Sequence, residues 1–212
     1  MINYNPTDGD VTSRSIKYRP RTCFVMTKLG EPLPPEITRI RDSLETLLAR
    51  RDIHMIDANS EITGKDFMVK IWEMVVSVPL GIAILSDELP VPTLENVFYE
   101  IGLFQALGKE TLVIKTDNST VPSDFVRTEY VSYGSAFAGK VNQYISQLFE
   151  QAEHYLVMAD QLEKDPLLEI DYLKRAYLIN GDAAIKQRMK HLLSSHQFDH
   201  YTASVYKQVI RY

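Results

Sequence analysis

This 212-residue sequence predicts a doubly wound α/β fold, a parallel sheet of about five strands followed by a helical extension. Three observations carry that expectation. Short apolar runs alternate with segments of helical period between residues 21 and 135, the mark of repeated βα units. Leu80-Gly81-Ile82-Ala83-Ile84-Leu85 is apolar without alternation, as a strand covered on both faces requires. Beyond Ala136 only helical periodicity remains, so residues 136–212 read as the extension.

Residues 1–20 are dominated by Asn, Pro, Asp, Gly, Thr and Ser and read as a flexible arm, with Arg14, Lys17, Arg19 and Arg21 as a solvated basic lead-in. Thr22 to Thr27 is a first buried strand, ended by Lys28-Leu29-Gly30. Pro34 and Pro35 suit the first turn of a helix whose inner face carries Ile37, Ile40, Leu44, Leu47 and Leu48. Asp52 to Asp57 holds a second strand. Thr63-Gly64-Lys65-Asp66 opens a helix with Phe67, Ile71, Met74, Val75 and Val78 inside, which Pro79 stops.

After the central strand 80–85, Leu89 to Leu94 reads as an irregular connection, because it carries Pro90 and Pro92. The helix that follows is capped by Gly108, with Gly102 permitting close packing on the sheet. Thr111 to Ile114 is a fourth strand, Asp117 to Asp124 a polar loop and Glu129 to Val131 a short fifth strand. The expected order is flavodoxin-like, 2-1-3-4-5. In the extension, Asp165-Pro166 and Ala176 suggest one tetratricopeptide-like hairpin plus an extra helix. A single hairpin makes no solenoid, so helices that pad the α/β domain or form a dimer surface are the alternative.

Composition narrows the function. With 45% hydrophobic residues the chain can bury a sizeable core, and a net charge of −5 argues against a nucleic-acid partner. One cysteine, Cys23, excludes an internal disulfide framework and fits a reducing compartment. No apolar run approaches the ~18 residues of a membrane span, and Met1 to Asp10 is polar, so a soluble cytoplasmic protein with no membrane partner is expected. There is no glycine-rich phosphate loop and no G-x-S-x-G elbow. His196 and His200 are four apart without an acidic or Cys partner nearby, so no metal is expected.

The candidate site follows from the fold. Ligands of open parallel sheets bind outside the carboxyl ends of the strands, which singles out Met26, Thr27 and Gly30, then Asp57, then Ser86 and Asp87. Glu100 stands apart: it is a carboxylate in an otherwise apolar helix, with Asn96 and Phe104 four residues away and Val97 and Leu103 three away. No helical neighbour offers it a cation. Asn96 shares its face and can orient the carboxylate or a ligand hydroxyl, and Tyr99 beside it can wall a pocket. Asn96 as a helix-start residue, Tyr99 as core and Asp87 as a turn residue are the structural alternatives.

Asn96-Val97-Phe98-Tyr99-Glu100-Ile101-Gly102 with Ala106-Leu107-Gly108-Lys109 resembles the N-V-F-Y-E-L-G and A-L-G-K signature of proteins related to nucleoside 2-deoxyribosyltransferases and to TIR-like nucleotide-binding domains. Cys23-Phe24-Val25-Met26 followed by Gly30-Glu31 is similar to that group's C-F-V-M-x-P-F-G opening, and the resemblance covers residues 21 to 133. Two segments differ: Lys28-Leu29-Gly30 replaces P-F-G, and Ser86 to Glu95 is longer than the relatives' loop. The resemblance implies a Rossmann-like fold acting on N-glycosidic bonds, with Glu100 in the position of the glutamate that attacks the anomeric carbon.

A nucleoside or nucleotide N-glycosidase or 2-deoxyribosyltransferase is therefore the leading expectation, with Glu100 as nucleophile and no cofactor required. NAD hydrolysis of the TIR-like kind makes NAD a substrate instead. The alternatives outside enzymology are a nucleotide sensor that signals through its helical C-terminus, and a scaffold with a vestigial pocket. Related transferases assemble between subunits, and the aromatic C-terminus (Phe198, Tyr201, Tyr206, Tyr212) offers a surface for a homo-oligomer or a place in the core.

Overall fold

The computed structural model describes residues 16–60, 67–116, 119 and 130–211, with the backbone alone at 201, 202, 205 and 211. Five strands form one parallel sheet: β1 (Thr22–Met26), β2 (His54–Ile56), β3 (Leu80–Leu85), β4 (Glu110–Lys115) and β5 (Tyr130–Ser132). Their order is β2-β1-β3-β4-β5, as expected. The register sets Met26 beside Ala83 and Ala83 beside Val113.

The period of two in the strands feeds two cores. Val25, Ile82, Ile84, Leu112 and Ile114 face α1 (Pro35–Ala49) and α4 (Phe137–Gln161), meeting Ile37, Ile40, Leu44, Val141 and Ile145. Phe24, Met26, Ala83, Leu85 and Val113 face α2 (Phe67–Ser77) and α3 (Val91–Ala106), meeting Ile71, Val75, Val97, Ile101 and Phe104. All six β3 residues are buried, which is why that strand carries no polar alternation.

A third core belongs to the extension, α5 (Pro166–Asn180), α6 (Ala183–Ser195) and α7 (His200–Arg211). Asp165 caps α5 by accepting from Leu168 N, Gly181 ends it at φ 68, and Asp182 caps α6 by accepting from Ala184 N. Ile170, Leu173, Ala176, Ile185 and Met189 pack with Tyr206 and Val209 of α7, with Trp72 and Val76 of α2, and with Ile16 and Tyr18. Tyr206 is thus core; the side chain of Tyr201 and all of Tyr212 lie outside the described residues. α4 contributes Phe137 to Ala152 to the first core and Ala159 to the third, so it bridges sheet and extension. No described helix is long and apolar enough to cross a membrane.

Four expectations are corrected. Residues 16–20 are not a loose arm: Ile16 and Tyr18 are buried, Arg19 N donates to Ser77 O at 2.8 Å and Arg21 N to Leu178 O at 2.8 Å. Residues 1–15 lie outside the described residues, as do the expected α2 start at 63–66 and most of the loop 117–124. Arg21 is not a solvated lead-in; its guanidinium donates to the carbonyls of Asp52, Arg51 and Asn180 and lies over the Phe149 ring. α3 begins at Val91, because Pro90 and Pro92 fall at its cap and first turn, where a missing N–H breaks no helical bond.

Gly102 is not the close-packing glycine, since a Cβ there would meet nothing within 4 Å. That role belongs to Gly81, where a Cβ would come within 2.9 Å of the Phe104 ring. Gly108 does end α3, at φ 62, with Lys109 N donating to Phe104 O and Gly108 N to Gln105 O, each at 3.0 Å.

Candidate functional site

β1 passes through α1 to β2 on one side of the sheet, and β3 passes through α3 to β4 on the other. The chain therefore diverges between the carboxyl ends of β1 and β3, the crevice where such sheets take ligands. Thr27 follows β1 and Ser86 follows β3, both buried on the side of α1. The Ser86 hydroxyl donates to Glu36 Oε2 at 3.4 Å, in the first turn of α1, and accepts from Glu88 N at 3.2 Å. The Thr27 hydroxyl is buried and makes no hydrogen bond among the described residues. An orphaned hydroxyl in this place has a bonding position left for a ligand.

The other edge residues are already committed to structure. Met26 is buried in the core beneath the crevice and presents no side chain to it. Gly30 is exposed at φ 79, in a loop that Lys28 closes on itself by donating to Gly30 O and Pro32 O at 2.9 Å each. Asp87 is exposed and accepts from the Thr116 hydroxyl at 3.2 Å. Asp57 is half-buried and paired with Arg41 Nη2 at 2.7 Å, and it also accepts from Asn59 N and Ser60 Oγ. Burial pushes the Asp57 carboxyl up, but the Arg41 bond and charge outweigh it and hold the carboxyl below its usual range. Asp57 therefore acts as a turn and ion-pair residue, not a free ligand contact.

Glu100 lies nine residues into α3, about 13 Å along the axis from Val91 at the usual rise. Phe104, one turn further on, rests on Gly81 near the amino end of β3. Glu100, four residues nearer the start of α3 than Phe104, therefore stands about 6 Å closer along the helix axis to the carboxyl edge of the sheet. Helical side chains lean toward the N-terminus, which brings the carboxylate back toward the edge. Thr93 and Asn96 lie above it on the same flank at helical spacing, Asn96 exposed. Tyr99 is exposed and so is not a core residue.

The carboxyl of Glu100 is half-buried and makes no hydrogen bond or ion pair with the described residues. Burial alone pushes its pKa up from 4.5 to about 8. At neutral pH it is mostly protonated, roughly one part in ten ionised. Such a group serves as a proton donor, or as an anion once positive charge develops beside it.

Sequence reasoning missed Glu36 and Thr116. Glu36 was legible in principle, as the second residue of the helix entered after the first strand, where first-turn side chains reach the ligand edge. Thr116, immediately after β4, bonds Asp87 and lies 2.7 Å from the Ser119 hydroxyl, a contact no local spacing announces. Among the described residues no three metal-ligating side chains converge. Compared with known proteins, the chain matches no family model and no curated sequence.

Proposed function

We propose that the crevice between β1 and β3 binds a nucleoside, a nucleotide or NAD, and that Glu100 opens its N-glycosidic bond. The observation that carries this reading is the half-buried, unpartnered carboxyl on the helix leaving the central strand, with its pKa pushed up to about 8. The motif around it resembles that of enzymes working through a glutamate. The Glu100 proton passes to solvent and, as the C1′–N bond breaks, its electron pair leaves with the base, which takes a proton from water in a deoxynucleoside and needs none in NAD; the carboxylate then bonds to the cationic C1′. Water or an acceptor base then displaces it. Thr27 and Ser86 offer hydroxyls to the sugar or phosphate, and no cofactor is required.

Base release from NAD and from a panel of deoxynucleosides, followed by chromatography, tests the reading. Release is expected in the wild type, rising with pH toward a plateau above about 8, and is expected to vanish in Glu100→Gln. Release that survives Glu100→Gln refutes it. A non-catalytic nucleotide sensor is favoured by one observation: Thr27 and Ser86 stand directly after β1 and β3, where they can hold a ligand without Glu100. Thermal stabilisation by nucleotide with no product would select that second reading.

A further inference from the structure

At the amino edge of the sheet, opposite Thr27 and Ser86, a half-enclosed cavity of about 80 Å³ lies between α5 and the turn that enters β4. Lys109, Lys174 and Arg175 line it, with Asp171 and Glu110 as its carboxyls. Lys109 Nζ donates to the carbonyls of Val76 and Val78 at the end of α2. Lys174 Nζ donates to the Tyr18 hydroxyl at 3.0 Å and sits 4.4 Å from that ring's centroid. Among the described residues both ammonium groups therefore have neutral hydrogen-bond partners only. Asp171 answers Arg175, one turn away at 3.1 Å.

Glu110 makes no hydrogen bond or ion pair among the described residues, and burial pushes its carboxyl up from the usual carboxylate range. The Lys109 ammonium is held well below its usual range by burial, and by repulsion from Lys174 and Arg175. Capping the α2 carbonyls explains Lys109 alone; it does not explain why Lys174 and Arg175 converge on the same space. Charges that leave water are normally paired, and here three cations meet two carboxyls, one of them already held by Arg175, so the cluster is short of negative charge.

We propose that this cavity is an anion site for a phosphate group, gripped by Lys109, Lys174 and Arg175 in the seam between the sheet and the extension. One water needs on the order of 10–15 Å³ of such space, so the cavity has room for a phosphate group. The open side admits either inorganic phosphate or the terminal group of a phosphomonoester. The site is independent of the chemistry assigned to Glu100.

The test is calorimetric titration of the full chain with inorganic phosphate, with glycerol 2-phosphate, which lacks a base, and with chloride at matched ionic strength. The wild type is expected to bind phosphate saturably and chloride not at all. Lys174→Gln should weaken binding about tenfold or more, while Lys190→Gln on α6 should not change it. Glycerol 2-phosphate binding about tenfold more tightly than phosphate would identify an ester as the occupant; equal or weaker binding would identify the free ion. No saturable binding below about 10 mM, or equal affinity in Lys174→Gln, overturns the proposal. Should Lys174→Gln not fold, amide exchange of the wild type decides: phosphate must protect residues 107–110 and 171–179, and protection elsewhere or nowhere overturns it.

Discussion

Replacing Glu100 by glutamine is expected to stabilise the fold at neutral pH and to flatten its dependence on pH. The folded chain holds the Glu100 proton with a pKa of about 8, against 4.5 for the free side chain. A raised carboxyl binds its proton more tightly when folded, so the fold is most stable below about 4.5 and loses stability as the pH climbs toward 8. At about 1.4 kcal/mol per pH unit, the rise from 4.5 to about 8 sets a ceiling near 5 kcal/mol. The side chain is only half-buried and can turn toward water, so about 2–3 kcal/mol is the expected gain of Glu100→Gln above pH 8.

Urea unfolding followed by far-ultraviolet circular dichroism at pH 5.5, 7 and 8.5 measures it. For a chain of this size the gain corresponds to roughly 4–12 °C in Tm. Other titrating groups are common to both proteins, so the difference between the two curves isolates Glu100. Parallel curves for wild type and Glu100→Gln would refute the reasoning, because they would mean an ordinary carboxyl.

Three further outcomes are expected. Arg188→Met leaves the buried Glu169 carboxylate without its partner, now at 2.6 Å, and should cost about 3–5 kcal/mol by chemical denaturation; adding Glu169→Leu should recover most of it. Thr27→Val removes a hydroxyl that has no partner among the described residues, so stability should hold or rise by up to about 1 kcal/mol while nucleotide affinity in calorimetry falls about tenfold. Gly81→Ala sets a Cβ against the Phe104 ring and should cost about 1–3 kcal/mol by thermal unfolding.

The sheet was legible because its strands announce themselves twice, by apolar runs and by the helices between them. β3 was read residue for residue, since burial on both faces leaves no polar position to blur its ends. The α3 start was misread because Pro90 and Pro92 look like breakers, yet proline is a breaker only where an N–H is needed. The packing of residues 16–20 had a faint signal, the alternation Ile16-Lys17-Tyr18-Arg19, hidden beside a polar stretch. The docking of the extension was announced on α2: with Trp72 and Val76 apolar beside Ile71, Met74 and Val75, that helix has two faces to bury, and a helix apolar over so wide an arc needs a second partner. Site geometry was less legible. Spacing placed Asn96 and Glu100 on one flank, but how far down the sheet that flank lies depended on where α3 begins.

Glu100 contrasts with two other carboxylates of the chain that leave water. Glu169 is more deeply buried, and Arg188 reaches it with two nitrogens, at 2.6 and 3.0 Å. Asp57 is half-buried, and Arg41 meets it at 2.7 Å. Both carboxylates are stabilised by arginines from other elements of the fold. Among the described residues Glu100 receives no such partner, although a cation at 96, 97, 103 or 104 on α3 would lie within helical reach. An unanswered carboxyl weakens the fold above pH 5, where Gln or Leu in its place would not. A structural role for Glu100 would call for the cation it lacks; a chemical role calls for the carboxyl to stay free, ready to bind a proton or a cationic carbon.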